Sequence, residues 1–538
     1  MKNTNYQNKS KFLKFVQRVF LVWIICLIIL AIFAQRNVAF YDLIEGKNVS
    51  SKYDSRIPLL RYFLEPIIGI AFVFSVDFNW ISGFIISYII IQVIYRFYIK
   101  KKRGFEPSEK VQLLSYPLRD FLRFTGILIG GGVACCMLFL LFAYIFIGFY
   151  FVNLYFMFLV QIFVPIGLTL VALKGGYILA KYRNPKYKFN YSEKFKKKEK
   201  KNHNVNEFKK HSAYCAGFIF LMLGLSVLLV SFKWPTQKIE VDLDHDEFLF
   251  DFHVHTTYSD GYLTPEERVM WYIEQGISGA AFSDHDNQRG AKEARKFVKE
   301  HDLDFTVIIA EEWTDHDNDI HMNIFGLEHT VVPRESDAPT CPFKSMNAED
   351  TIKHVKREGG YIFVNHYNAE KNEKENGRGV PYTLEQLMDW GVDGFEIVNG
   401  GNPQDKKIRK FCLDNNLTCI AGTDEHRNNE LDTFIKLRLK NPKDKSVDNI
   451  FKNLRRNDHE VVAINDKPRR IEVLYPFNDV LDFFGLGKAD NFINYLLNLD
   501  RGQVVSWIIW SCGVYLIFIL FYKKLKNIDV KTLREKIL

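Results

Sequence analysis

The chain has 538 residues, 48% hydrophobic and 15% aromatic with 47 Phe, and a formal charge of +8. That length admits several domains, so whole-chain averages describe a mixture. The charge argues against a nucleic-acid binder because it is concentrated: residues 181–210 carry 12 Lys/Arg against Glu193, Glu199 and Glu207, a local +9 between apolar segments. Such loops set membrane topology, and a polybasic loop can also hold anionic lipid.

Apolar blocks at 19–34, 79–95, 124–148, 150–173, 213–231 and 504–522 are each near the ~20 residues a helix needs to cross a bilayer. Block 58–76 is interrupted by Arg61, Glu65 and Pro66; spanning, re-entrant and interfacial placements all stay open for it. No small-residue cleavage site follows the first block, so a removed signal peptide is not indicated. Three basic segments, 96–110, 181–210 and 523–536, can share the cytoplasmic side. One span, 213–231, then carries 232–503 outside, and 504–522 returns the tail. The expected organisation is a multi-pass region over 1–231, a soluble domain over 240–475, a linker over 476–503, a terminal span over 504–522 and a basic tail over 523–538.

Eight cysteines give no framework. Cys26, Cys135, Cys136, Cys215 and Cys512 lie in apolar blocks, and the soluble part holds Cys341, Cys412 and Cys419 without CxxC spacing. Neither a disulfide scaffold nor a cysteine zinc site is supported.

The soluble part alternates short apolar runs, predicted as strands near 248–254, 279–283, 305–310, 321–326, 361–365, 394–398 and 418–422, with helical patterns over 265–275, 288–300, 349–358, 383–390 and 403–415. Thr264, Pro265 and Glu267 predict a capped helix start. Repeated β-α units predict parallel strands, closed or open.

Metal-seeking side chains recur at the ends of these strands. The first ends in His253 and His255, which alternation points the same way. The second runs into Asp284-His285, the third into Glu311-Glu312; the fourth begins at His321, the fifth ends at His366, and the seventh leads to Asp424 and His426. A single His-x-His pair is as easily a surface accident, and His203, His211, His245, His301, His316, His329, His354 and His459 are read as such. Repetition at one end of successive strands lowers that reading. Imidazoles mixed with carboxylates suit Zn²⁺, Mn²⁺ or Fe better than Ca²⁺ or Mg²⁺.

In order, HVHTTYSDG, SDHD, EEWT with HMNIFG, VNHY and GTDEH resemble the motifs of the PHP (polymerase and histidinol phosphatase) family over about 249–475, and 446–464 resembles the helix-strand ending of such domains. The resemblance implies a distorted seven-stranded β/α barrel. It implies one metal on His253, His255, Glu312 and Asp424, the catalytic set; a second sharing Glu312 with His321 and His366; and a third on Asp260, His285 and His426. Ala310-Glu311-Glu312 fits the family frame if Ala310 replaces a glycine, which favours Glu312 over Glu311. Asp260 stands where some members have histidine, and VNHY lacks a proline that often follows.

Two or three divalent transition-metal ions (Zn, Mn or Fe) would then supply hydroxide for hydrolysis of a phosphate ester. The expected partners are a small-molecule or lipid-headgroup phosphoester and the membrane, with nucleic acid relevant only as nucleotide substrates. Asp286 and Asn287 are read equally as orienting partners or as a helix start. Arg334, Lys344 and Arg378, in loops 333–347 and 367–382, are read as solvated charge or as phosphate contacts. The alternatives are a metal-dependent amide or ester hydrolase of the same barrel type and a membrane receptor whose barrel only binds ligand. With few intramembrane charges, the membrane part reads as an anchor rather than a transporter.

Overall fold

In the computed structural model the described residues are 2–34, 38–75, 109–147, 166–178 and 487–527, with 237–466 apart from 316–319, 332–345, 368–379, 401, 404–405, 429–430 and 456, and isolated positions between 87 and 235. Most of blocks 79–95, 150–173 and 213–231, and Arg334, Cys341, Lys344 and Arg378, lie outside them.

The domain is α/β. Its central strands are β5 (Glu247–Val254), β6 (Gly279–Phe282), β7 (Thr306–Asp315), β8 (Ile320–Phe325), β9 (Tyr361–Val364), β10 (Gly394–Asn399) and β12 (Thr418–Gly422). Helices α4 (Pro265–Gln275), α5 (Arg289–Glu300), α6 (Ala348–Arg357), α7 (Leu384–Trp390) and α8 (Lys406–Asp414) connect most of them. Thr264 caps α4 with the full reciprocal box to Glu267. Six successive residues of β5, Leu249 to Val254, are buried, as a strand covered on both faces requires. Phe252 packs edge-on against Phe325 and Phe451 in one core cluster. Trp271, Tyr272 and Phe282 belong to a second.

Two expectations are corrected. The strands are not all parallel: β8 runs antiparallel to both β7 and β9, because β7 turns back directly into β8 with no crossover helix. The sheet is also not a closed barrel. The edge of β5 that β12 would need is taken over residues 247–250 by the antiparallel strand β13 (Thr433–Arg438). Beyond that pairing, β12's continuation meets β5 through the Val254–Glu425 bridge, the bonds from Asp424 N to His253 O at 2.9 Å and His255 N to Glu425 O at 3.4 Å, and Thr423's bonds to Asp251.

The sheet also recruits the chain's beginning. Strand β1 (Val38–Asp42) pairs antiparallel with β14 (Glu460–Asp466), from Val38↔Asp466 to Asp42↔Val462. Strand β3 (Tyr53–Arg56) pairs with β4 (Lys238–Val241). Tyr53 donates to Glu460 Oε2 at 2.8 Å, and Arg409 reaches Ile44 O at 2.7 Å. These segments lie outside the 240–475 range expected for the domain. The 446–464 pattern is found as α9 (Val447–Leu454) followed by β14.

Among the described residues, three helical segments are long and apolar enough to cross a membrane: Leu13–Phe33, Arg123–Phe142 and Arg501–Leu520. They lie in α1 (Lys2–Phe33), α3 (Glu109–Ile147) and α11 (Arg501–Asn527). Between β14 and α11 lies α10 (Gly487–Leu497), where the sequence suggested only a linker. Helices α1 and α11 pack antiparallel: Trp23 Nε1 donates to Ser511 Oγ at 2.9 Å, and Phe20 stacks on Tyr515 at 3.9 Å. Block 58–76 is helix α2 (Leu59–Ser75), whose Glu65 is buried and accepts from Tyr495 and Gln503.

Phe40 in β1 is 1% exposed within the second core cluster. Phe40→Ala should therefore destabilise the domain by about 3–5 kcal/mol, the range for a truncated core aromatic. Denaturant melts of the full-length chain in detergent check this, and an unchanged midpoint would mean β1 is not part of the domain.

Candidate metal centre

The histidines and carboxylates meet at the ends of β5, β6, β7, β9 and β12, with His321 at the start of β8. A register shift in β5 between Asp251 and Val254 adjusts its pairing with β6 just before His255. His253 and His255 are fully buried, with their Nε2 atoms 3.1 Å apart. Glu312 Oε2 lies 3.3 Å from His253 Nε2, 3.2 Å from His255 Nε2 and 3.2 Å from His285 Nδ1. Its Oε1 lies 3.2 Å from His321 Nδ1 and 3.2 Å from His366 Nε2, and accepts from Asn365 Nδ2 at 2.9 Å. Asp424 Oδ1 is 3.0 Å from His255 Nε2 and 3.3 Å from His253 Nε2. His426 Nε2 sits 3.2 Å from Asp260 Oδ2, and His285 Nε2 3.7 Å from the same oxygen.

Every sequence-predicted ligand is thus drawn into one place. His285 straddles two groups, one ring nitrogen toward Glu312 and the other toward Asp260. Glu311 points away and accepts from Val331 N at 2.7 Å. Asp286 accepts from Thr314 N, and Asn287 caps the turn into α5 by accepting from Arg289 N. Asp286, His366 and Asp424 all have positive φ (52°, 23° and 51°), a conformation that non-glycine residues keep only where surrounding structure imposes it.

The donor set fits divalent cations. Bonds of about 2.0–2.2 Å in tetrahedral array put neighbouring donors roughly 3.3 Å apart, close to the 3.0–3.3 Å separations of His253, His255, Glu312 and Asp424. Buried Asp424 Oδ1 and Asp260 Oδ1 accept no hydrogen bond although imidazoles face them. The donors converge on common points rather than pairing off.

Electrostatics agree. Burial opposes the charge on Glu312, but the imidazoles of His253, His285 and His321 outweigh it and hold its carboxyl well below the usual range. Burial likewise opposes a proton on His255, yet Asp424 and Glu312 raise its pKa to about 10. Burial lowers His285 to about 4.

A layer behind the donors was not legible from spacing. Glu396, 1% exposed within β10, faces His253 Nδ1 at 3.2 Å through Oε1 and accepts from His366 N and Asn399 Nδ2 through Oε2. Asn399 also donates to Asp424 at 3.2 Å. Gly422 is required beside them, since a Cβ there would lie 2.1 Å from His253 Cβ and 2.5 Å from Glu396 Oε1. The cue was a carboxylate inside an otherwise apolar strand, which is costly without a partner.

Residues 251–376 match the PHP domain family. That stretch holds the ligands from His253 to His366 and ends before Asp424 and His426. Over 83 residues, 15% of this chain, the sequence is 34% identical to the 5'-3' exoribonuclease Rnm of Salmonella typhimurium and equally to that of Escherichia coli. The match spans only 27% of the length of those relatives. Among solved structures, a two-domain protein from Bacteroides vulgatus containing a predicted PHP-like metal-dependent phosphoesterase is 21% identical; the match covers 47% of this chain and 74% of that one, with a TM-score of 0.34.

Two outcomes are expected. Glu396→Ala should weaken divalent-ion binding about 10–100-fold, the usual effect of removing a carboxylate behind a ligand histidine; ion titration of the purified chain measures it, and wild-type affinity would remove Glu396 from the site. A proton on His255 competes with a cation for the same nitrogen, so apparent affinity should rise with pH through the neutral range, about tenfold per unit for each proton displaced. Affinity independent of pH between 6 and 8 would contradict this.

Proposed function

We propose that the protein is a membrane-anchored, metal-dependent phosphoester hydrolase whose catalytic domain faces the outside of the cell. The observation carrying the reading is the adjacency of three donor groups, two of which share the carboxylate of Glu312 while the third, around Asp260, joins them through His255 and His285. Divalent transition ions held there, two or three of the Zn, Mn or Fe class, would lower the pKa of a water toward ~7 and stabilise charge on phosphoryl oxygens. The chain's own residues divide the work by depth. His253, His255 and Glu312 form a floor at most 1% exposed, whereas Asp260, His426, Asp424, His321 and His366 form a rim with side chains 36%, 31%, 19%, 19% and 12% exposed. Substrate approaches the rim. The Glu396–Asn399 layer holds His253, His366 and Asp424 in place and keeps the floor from rearranging. Small-molecule and lipid-headgroup phosphoesters, nucleotides included, are the substrate class.

Topology supports the outward placement. Residues 38–56 and 238–466 contribute to shared strand pairings, so they lie on one side of a membrane and the chain between them crosses an even number of times. With basic segments 96–110 and 181–210 inside, blocks 79–95, 124–148, 150–173 and 213–231 supply four crossings, and α2 stays at the outer face, where Glu65 pairs with Arg61 and accepts from Gln503 and Tyr62 donates to Asp500. The antiparallel α1–α11 pair returns both termini to the cytoplasm.

His255→Ala or Asp424→Ala should abolish hydrolysis by the full-length protein across phosphomonoesters, phosphodiesters and nucleotides while the melting transition persists. Retention of most activity would reject the assignment, and turnover of amides or carboxylic esters instead would favour that alternative. Protease added to intact cells should cleave a tag at residue 372 and spare one at the C-terminus; the reverse pattern would put the domain in the cytoplasm.

A further inference from the structure

Away from the central cluster, His329, His354 and Glu358 bring three donors together on the domain surface, their ligand atoms all within 4.8 Å of one another. His329 Nε2 lies 3.0 Å from Glu358 Oε2, and His354 Nε2 lies 3.2 Å from Glu358 Oε1. Read from sequence, both histidines were isolated surface side chains. The fold explains why they meet. His354 and Glu358 are four residues apart at the C-terminal end of α6, so they share one helix face. His329 sits on the loop leaving β8.

That loop is fastened from beneath by buried groups. Gln288, 1% exposed, donates through Nε2 to Leu327 O at 3.1 Å and His329 O at 2.9 Å. Glu311, fully buried, accepts from Val331 N two residues further on. His329 is therefore presented to α6 by an anchored backbone. The helix end adds the negative pole of its dipole, which favours a cation. Of the basic side chains on α6, Lys353 pairs with Glu349 and Lys356 with Asp393, while Arg357 is exposed next to Glu358 in sequence.

We infer that His329, His354 and Glu358 form a second, peripheral cation site of the zinc class, separate from the catalytic cluster. Two imidazoles and one carboxylate are the ligand set of an open zinc site, with water completing the coordination. The 3.0 and 3.2 Å separations are near the roughly 3.3 Å spacing of donors around one tetrahedral ion. The site's role is to clip the β8 exit loop to the end of α6. It does not rest on the phosphoesterase reading.

The test uses the full-length chain in detergent, stripped with chelator and reloaded with Zn²⁺ or Co²⁺ alone. His354→Gln and His329→Asn should each bind one ion fewer per chain than wild type and lose one component of the Co²⁺ ligand-field spectrum. The central ions, and whatever hydrolysis the wild type shows, should persist in both. Zn²⁺ should raise the wild-type melting temperature by more than it raises that of either variant. If both variants bind as many ions as wild type, with the same spectrum, the three residues form only an ion pair and the inference is wrong. Loss of the central ions together with the peripheral one would also overturn it, because the two sites would then not be separate. Absence of hydrolysis in all proteins, with the one-ion difference intact, would refute the proposed function and leave this site standing.

Discussion

Everything at the metal-ligand end of the domain is arranged around a buried carboxylate. Glu312 has five imidazoles within 3.2–3.3 Å and an amide at 2.9 Å. An anionic group taken out of water is tolerable only when charge or hydrogen bonds replace its hydration. Here the replacements arrive from four different stretches of chain: His253 at the end of β5 with His255 just after it, His285 after β6, His321 on β8, and Asn365 and His366 after β9. That need fixes how far each strand runs and where it stops. It also accounts for backbone held at positive φ at His366 and Asp424, where a relaxed chain would aim the side chains elsewhere.

The first ring of this arrangement was readable because each ligand falls at the end of an apolar run, so strand periodicity and residue chemistry reported the same thing. Of the two neighbouring glutamates, Glu312 faces the imidazoles and Glu311 turns to the loop at Val331, as neighbours on a strand face opposite ways. The second ring was not readable. Glu396 and Asn399 act through ligands rather than as ligands, and one acidic residue in a strand has no spacing to mark it. His285's position between two groups depends on a ring orientation that no sequence pattern encodes.

The fold was legible where contacts are local and opaque where they are not. The β-α alternation, the Thr264 cap and the 446–464 ending follow from short-range pattern. The β13 ladder that prevents barrel closure comes from a strand returning antiparallel after β12, which alternation alone does not foretell. The β1–β14 and β3–β4 pairings join segments far apart in sequence, and β1 and β3 sit in a short polar interval between apolar blocks that reads as a connector.

The pairing of Val38 with Asp466 has a consequence for how the protein is made. On the proposed topology, β1 is exported early and must wait while the intervening spans insert and the rest of the domain is translated. Until β14 emerges, β1 lacks its partner; a span inserted the wrong way would strand the two on opposite faces of the bilayer. An unpaired edge in the finished domain would then be a template for aggregation or a mark for degradation. On that topology the sheet would work as a built-in proofreading device for membrane insertion, because the domain would be completed only in chains whose spans had all been threaded correctly.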